Sequence, residues 1–143
     1  MSVSAAELAD RLAIQDVLVQ YATSCDARDM DAYGDCFLED ALITGFGPGE
    51  VHGRQAWVDY VTEALKRFAG TQHFIGNQVV KINGDTATMR TYVQATHVPV
   101  DRPKTTMTLF ATYYDELVRD NDGKWRIKLH RLEPVTTQLL TGD

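Results

Sequence analysis

Apolar residues return at helical spacing from Ala5 to about Cys25, where Leu8, Leu12, Ile14, Val17, Leu18 and Tyr21 mark the stripe of a long amphipathic helix. Ser4 followed by Glu7 has the form of a capping box, in which the hydroxyl and the carboxylate each satisfy an orphan amide. A second, short helix is predicted after Asp29, from about Met30 to Phe37. Leu38 to Thr44 then turns extended, and Gly45-Phe46-Gly47-Pro48-Gly49 interrupts it. A third helix begins near Gly53, with Trp57, Val58, Val61, Ala64, Leu65 and Phe68 on one face and Gly70 fitting its end. From Gln72 onward the period falls to two. Strands are predicted at about 72–82, 86–98, 104–119 and 124–136. Asn83-Gly84-Asp85 and Asn121-Asp122-Gly123 are hairpin signals, since Gly and Asn tolerate positive φ, and a loop from Pro99 to Pro103 lies between them. Helices followed by a run of antiparallel strands imply an α+β fold, with three N-terminal helices laid across one face of a curved, mostly antiparallel sheet. The concave side of such a sheet either fills with side chains or holds a ligand.

Strand parity says which residues point there. Ala87, Met89, Thr91, Val93, Ala95 and His97 share one face, and the apolar members mark it as the core face. On the preceding strand His73, Ile75, Asn77 and Val79 group together. A three-residue loop at Asn83-Gly84-Asp85 pairs His73 with Ala95 and puts both histidines on the inner face. A two-residue loop shifts the register by one and sends them to opposite faces. A lone inward histidine is ordinarily a satisfied core residue; two together call for partners, because burying unpaired imidazoles is costly. The first helix offers Tyr21 on its stripe and Asp26 at its end. Five residues of helix rotate by roughly 140°, so the two cannot stack on one ridge, but they can flank a cavity over the helix end. The plainer reading of Asp26 is a solvated helix-end carboxylate or an ion pair with Arg28. Tyr113 shares parity with Met107 and Leu109, and Arg131 with Trp125, Ile127 and Leu129, so both are candidates to line the pocket; the plainer reading of Arg131 is an edge position or a salt bridge. Trp57 and Phe68 read as core.

The chain has 143 residues, the length of one domain, with 14 basic and 20 acidic side chains for a net charge of −6. That acidity argues against nucleic acid, whose binding needs a basic stripe to displace counterions. No apolar run reaches the ~20 residues of a membrane span, and the N-terminus, with Glu7, Asp10 and Arg11, lacks the form of a signal peptide. Cys25 and Cys36 make neither a disulfide framework nor a zinc spacing and read as free thiols of a cytoplasmic protein.

IQDVLVQYATSCDARDMDAYGDCFLEDA resembles the opening of SnoaL-like proteins of the nuclear-transport-factor-2-like superfamily. TQHFIGNQVVKINGDTATMRTYVQATH resembles the family's central hairpin, and TYYDELVRDNDGKWRI its last two strands. The resemblance implies a cone-shaped α+β barrel over nearly the whole chain as one domain. By pattern the chain is similar to scytalone dehydratase, bile-acid dehydratase and hexachlorocyclohexane dehydrochlorinase. In that branch a strand histidine pairs with an aspartate at the end of the first helix, and His73 and Asp26 match those positions. Tyr21 matches a pocket tyrosine of bile-acid dehydratase, where the dehydrochlorinase has a lysine, and His97 matches a second pocket histidine of scytalone dehydratase. The dehydrochlorinase's pocket arginine aligns one residue away from Arg131. The resemblance also implies a homodimer or homotrimer, for which Phe110, Tyr114 and Val118 on the outer sheet face are suited.

These residues suit elimination next to a carbonyl. Asp26 fixes one tautomer of His73 and leaves the other ring nitrogen as base, and Tyr21 or His97 donates to the oxygen where charge builds. Asn77, Tyr113 and Arg131 join His97 as candidate contacts to a small, mostly apolar substrate. No metal or organic cofactor is required. Zinc on His73 and His97 lacks an evident third ligand, and the Gly45–Gly49 stretch is no phosphate loop. The expected activity is a cofactor-independent lyase or isomerase of the dehydratase kind. The alternatives are a non-catalytic ligand-binding or assembly module, whose pocket is filled by Met89 and Phe74 or whose His73 and Asp26 stand apart, and a polyketide-type cyclase.

Overall fold

The computed structural model describes residues 2–143. Helix α1 spans Ala5–Ala27, α2 Met30–Gly34 and α3 Arg54–Leu65. The strands are β1 Phe37–Thr44, β2 Val51–His52, β3 Phe68–Asn83, β4 Thr86–Pro99, β5 Thr105–Arg119 and β6 Trp125–Thr141. They form one sheet in the order β2-β1-β6-β5-β4-β3, antiparallel except where β1 runs parallel to β6.

Helix α1 supplies the main apolar ridge against the sheet through Ile14, Val17, Leu18, Tyr21 and Cys25. Leu8 and Leu12 are exposed, so the buried stripe starts at Ile14, nearly two turns later than the apolar pattern does. The Ser4 hydroxyl accepts from the Glu7 amide at 3.1 Å, which is half of a capping box; the Glu7 carboxylate turns instead to Arg11 at 3.7 Å. α1 ends at Arg28, the one non-glycine residue with positive φ (63°) among those described, whose N–H returns to Cys25 and Ser24 carbonyls.

Several boundaries differ from the sequence expectation. The second helix stops at Gly34, because Phe37 is taken as the first strand residue, opposite Ile127. The third helix stops at Leu65, and Phe68 and Gly70 belong to β3, where they pair with Pro99 and Val98. β6 runs on to Thr141, its last turn of chain pairing with the start of β5.

Bulges decide which residues face inward. The β3–β4 turn has two residues, Gly84 and Asp85, with Asn83 opposite Thr86. That register alone would separate the histidines. An irregularity between Ile75 and Gln78 absorbs one extra residue, so His73 still lies opposite Ala95 and Thr71 opposite His97. The same bulge turns Asn77 and Val79 outward and brings Gln78, Val80 and Ile82 in. A second bulge between Ile127 and Leu129 reverses parity along β6: Trp125 and Ile127 face in, then His130 and Leu132. The loop after β1 needs a glycine at position 45. Its φ is +88°, and a Cβ there would sit 2.1 Å from the Leu132 carbonyl oxygen.

Candidate active site

Asp26 and His73 meet on the inner face. His73 Nδ1 is 2.8 Å from Asp26 Oδ1, and the His73 backbone N–H donates to Asp26 Oδ2, also at 2.8 Å. The Thr71 hydroxyl donates to Oδ1 at 3.0 Å, and Arg28 in turn donates to Thr71 at 2.7 Å and to the Cys25 carbonyl at 3.0 Å. Arg28 therefore supports the carboxylate through Thr71 and does not neutralise it directly. The solvated reading of Asp26 is excluded: its side chain is 21% exposed and that of His73 9%.

Placement follows from local structure. The left-handed cap at Arg28 ends α1 about two turns after Tyr21, and β3 runs alongside, which brings the carboxylate over residues 71–73. Burial by itself raises the Asp26 carboxyl, but the hydrogen bonds from the His73 ring and backbone and from Thr71 outweigh it and hold the group below its ordinary range. With Nδ1 committed to Asp26, Nε2 is the free ring nitrogen of His73.

His97 stands beside this pair, its ring 5.9 Å from that of His73 in an edge-on arrangement and 4.7 Å from Phe68. Its Nδ1 lies 3.1 Å from the Ala95 carbonyl. Burial, then the neighbouring His73, hold His97 below the usual histidine range against the opposing pull of the Ala95 and Met107 carbonyls and Asp26. Phe68 is half-buried against His97 and belongs to the site, not to the core.

Tyr21 is buried with its ring 6.2 Å from His73 in an edge-on arrangement, and its hydroxyl meets a second set of groups. It lies 3.5 Å from the Tyr113 hydroxyl and 3.2 Å from Nε2 of His130, whose Nδ1 is 2.5 Å from Asp115 Oδ1. His130 is missed because the β6 bulge hides its inward placement from a simple count of two, whereas Asp115 shares the parity of Tyr113 on β5 and was within reach of that count. Their signal was there in part: the family's pocket arginine aligns one residue from Arg131.

The structure does not bring Asn77 or Arg131 to the site. Asn77 is exposed because of the β3 bulge. Arg131 lies on the outer face, paired with Glu133 at 2.8 Å and set over the Tyr114 ring at 4.2 Å. Tyr113 is inward and buried, as expected. Of the two residues expected to plug a non-catalytic cone, Met89 is core, whereas Phe74 is 66% exposed on the outside. Trp57 is core and donates to the Tyr33 hydroxyl at 3.0 Å.

One further group adjoins the pair. The Cys25 sulfur and the donor atoms of Asp26 and His73 lie within 4.8 Å of one another, a set that could hold a soft divalent cation. Burial, and next the Asp26 charge, push the Cys25 thiol up to about 12, partly offset by Arg28, so it stands as a neutral thiol beside the carboxylate.

Helices on a curved sheet, with a strand imidazole held by a helix carboxylate on the inner face, define a cone of the nuclear-transport-factor-2-like kind. The chain belongs to the SnoaL-like domain family, whose model matches residues 6–131. It is similar to an uncharacterized protein of Mycobacterium tuberculosis (strain ATCC 25618 / H37Rv), 34% identical over 131 residues that cover 91% of this chain and 88% of the relative. Among solved structures it resembles a provisionally assigned aromatic ring hydroxylase from Novosphingobium aromaticivorans, 30% identical with a TM-score of 0.82, covering 94% of each chain. A provisionally assigned scytalone dehydratase from the same organism is 25% identical with a TM-score of 0.83, covering 92% of this chain and 87% of that one. The hexachlorocyclohexane dehydrochlorinase LinA-type3 of Novosphingobium barchaimii shares the fold, with a TM-score of 0.84 at 22% identity over 95% and 93% of the two chains. No helix among the described residues is long and apolar enough to cross a membrane.

Proposed function

We propose that this protein is a cofactor-independent lyase or isomerase of the dehydratase type, acting on a small, largely apolar ring compound that carries a carbonyl and a leaving hydroxyl. The observation that carries the reading is the 2.8 Å contact between Asp26 and His73 on the inner face. A carboxylate accepting from Nδ1–H fixes the tautomer in which Nε2 is an unprotonated base, and it stabilises the imidazolium formed when that base takes a proton.

In the reaction, His73 Nε2 removes a proton from the carbon next to the carbonyl. The electron pair moves toward the carbonyl oxygen, where a hydroxyl donor meets the developing charge; Tyr21, with Tyr113 beside it, fills that role. Collapse of the enolate expels the hydroxyl, which takes the proton now on His73 and leaves as water. His97, held neutral, and Phe68 supply a mixed polar and aromatic wall for the ring. Asn77 and Arg131 have no part. The neighbouring structures named for dehydratase and dehydrochlorinase chemistry agree with this class.

The test uses a panel of cyclic β-hydroxy ketones, following the ultraviolet absorbance of the conjugated enone. Wild type should form the enone, and H73A should lose turnover by roughly 10²–10⁴-fold while keeping its circular dichroism. Equal turnover in both rejects the reading.

We also propose a homodimer or homotrimer packed through the outer sheet face. Phe110, Tyr114 and Val118 point there, and Phe74 and Tyr92 beside them are 66% and 52% exposed. Light scattering that gives the 16.0 kDa mass of one chain rejects it. Two buried free thiols fit a reducing cytoplasm, where we place the protein.

A further inference from the structure

The inner face holds a second imidazole–carboxylate pair, deeper than the first. Asp115 and His130 sit opposite each other on β5 and β6, both side chains wholly buried, with Nδ1 2.5 Å from Oδ1. The other ring nitrogen faces Tyr21 Oη at 3.2 Å. The titratable groups facing His130 are thus Asp115 and Tyr113 from β5 and Tyr21 from α1. Phe37 of β1 and Phe46 of the loop after it close the remaining sides, with ring separations of 6.1 and 5.3 Å.

A buried phenol that gives away its proton meets a difficulty. Burial, and then the neighbouring Tyr113 and Tyr33, push Tyr21 well above the ordinary tyrosine range, so a tyrosinate there is strongly disfavoured. The hydroxyl must regain a proton in the step in which it loses one. Tyr113 is itself a buried phenol pushed upward and is no better a source. His130 Nε2 is the remaining neighbour, and Asp115 behind it stabilises the charged imidazole.

We propose that Asp115 and His130 form a proton store behind Tyr21, which lets Tyr21 donate to the substrate without ever carrying the charge. The proposal rests on the reading above, in which Tyr21 meets the substrate oxygen. As the Tyr21 O–H bond breaks, its proton forms an O–H bond to that oxygen. The electron pair left on Oη takes the Nε2 proton of the His130 imidazolium. Tyr21 ends as it began, and His130 ends neutral with Nδ1–H on Asp115. Run backwards, the same path returns the proton. His130 and Asp115 are positioning residues that act through Tyr21.

The arrangement carries a spectroscopic signature that packing alone would not. When His130 loses its proton, Nε2 changes from donor to acceptor, and the Tyr21 hydroxyl must turn to donate to it. The test uses the full-length protein labelled with ¹⁵N-histidine and ¹³Cζ-tyrosine, followed by NMR from about pH 5 to 9, the range in which histidine ordinarily titrates. The Tyr21 ¹³Cζ resonance should step with the same midpoint as the His130 nitrogens, without reaching the tyrosinate position. In H130Q, or in D115N if that variant does not fold, the step should vanish or move; in Y21F the His130 nitrogen resonances should shift. A Tyr21 signal flat over the whole range, a step that persists unchanged in these variants, or a Tyr21 ionisation independent of His130 overturns the proposal. The readout needs no turnover, so failure to find an elimination substrate leaves this result standing by itself.

Discussion

The carboxylate of Asp26 holds His73 twice, taking the backbone N–H on Oδ2 and facing the ring Nδ1 with Oδ1, each at 2.8 Å. One side chain thereby sets both the strand position and the ring orientation of the base. An amide at position 26 keeps one acceptor for the backbone but can present N–H to Nδ1, which favours the wrong tautomer. D26N should therefore fold while losing turnover by roughly 10²–10⁴-fold, chiefly in kcat; steady-state kinetics on the enone assay checks it.

The same contact sets an acid limit on stability. Asp26 is held below its unfolded value, so its contribution is complete above about pH 4, the ordinary aspartate range. It is lost as pH falls through the lower folded value. Arg119 and Arg126 hold Asp10 and Asp122 low as well, so the wild type alone would not isolate the effect. Urea midpoints of wild type and D26N should differ at neutral pH and converge in acid. A gap that stays constant through acid contradicts the pairing.

Both thiols should be silent in the native state. Burial pushes Cys25 and Cys36 up to about 12, with Asp26 and Asp35 adding to the shift and Arg28 and Arg126 partly offsetting it. A thiol reagent at about pH 8, near the ordinary cysteine value, should titrate neither residue in the folded protein and both after denaturation.

Glycine 45 and glycine 84 separate strain from collision. Both have positive φ, +88° and +60°, but a Cβ at 84 meets nothing within 4 Å, whereas one at 45 meets the Leu132 carbonyl. G84A should cost about 1 kcal/mol from conformation alone. G45A should cost about 2–3 kcal/mol or more and displace Phe46, which stacks on His130 at 5.3 Å. Chemical denaturation of the two variants measures the difference.

The helices, the hairpins and the pairing of His73 with Asp26 were legible because each rests on a local rule or on family spacing. The inner face was legible only as far as strand parity stayed regular. Asn77 was misplaced because the extra residue between Ile75 and Gln78 leaves no trace in the alternation that identifies a strand. His73 and His97 kept their common face because that extra residue compensated a hairpin turn one residue shorter than expected. Arg131 was misplaced for the same reason at the β6 bulge, and there the cost was larger. The residue turned inward in its stead is His130, which brings Asp115 and the second buried pair with it. Tyr21 adjoins both pairs, its ring beside His73 and its hydroxyl against His130.

Exchange of carbon-bound hydrogen tests the central claim most directly, because it reports proton abstraction by His73 without requiring the leaving group to depart. Cyclic ketones lacking the β-hydroxyl are incubated in D₂O with wild type or H73A, and the α-hydrogen signal is followed by NMR. Wild type should wash out that signal well above the uncatalysed rate, and H73A should return it to the rate without protein. Exchange that is equally fast in H73A, or no faster with wild type than in buffer across the panel, contradicts the account.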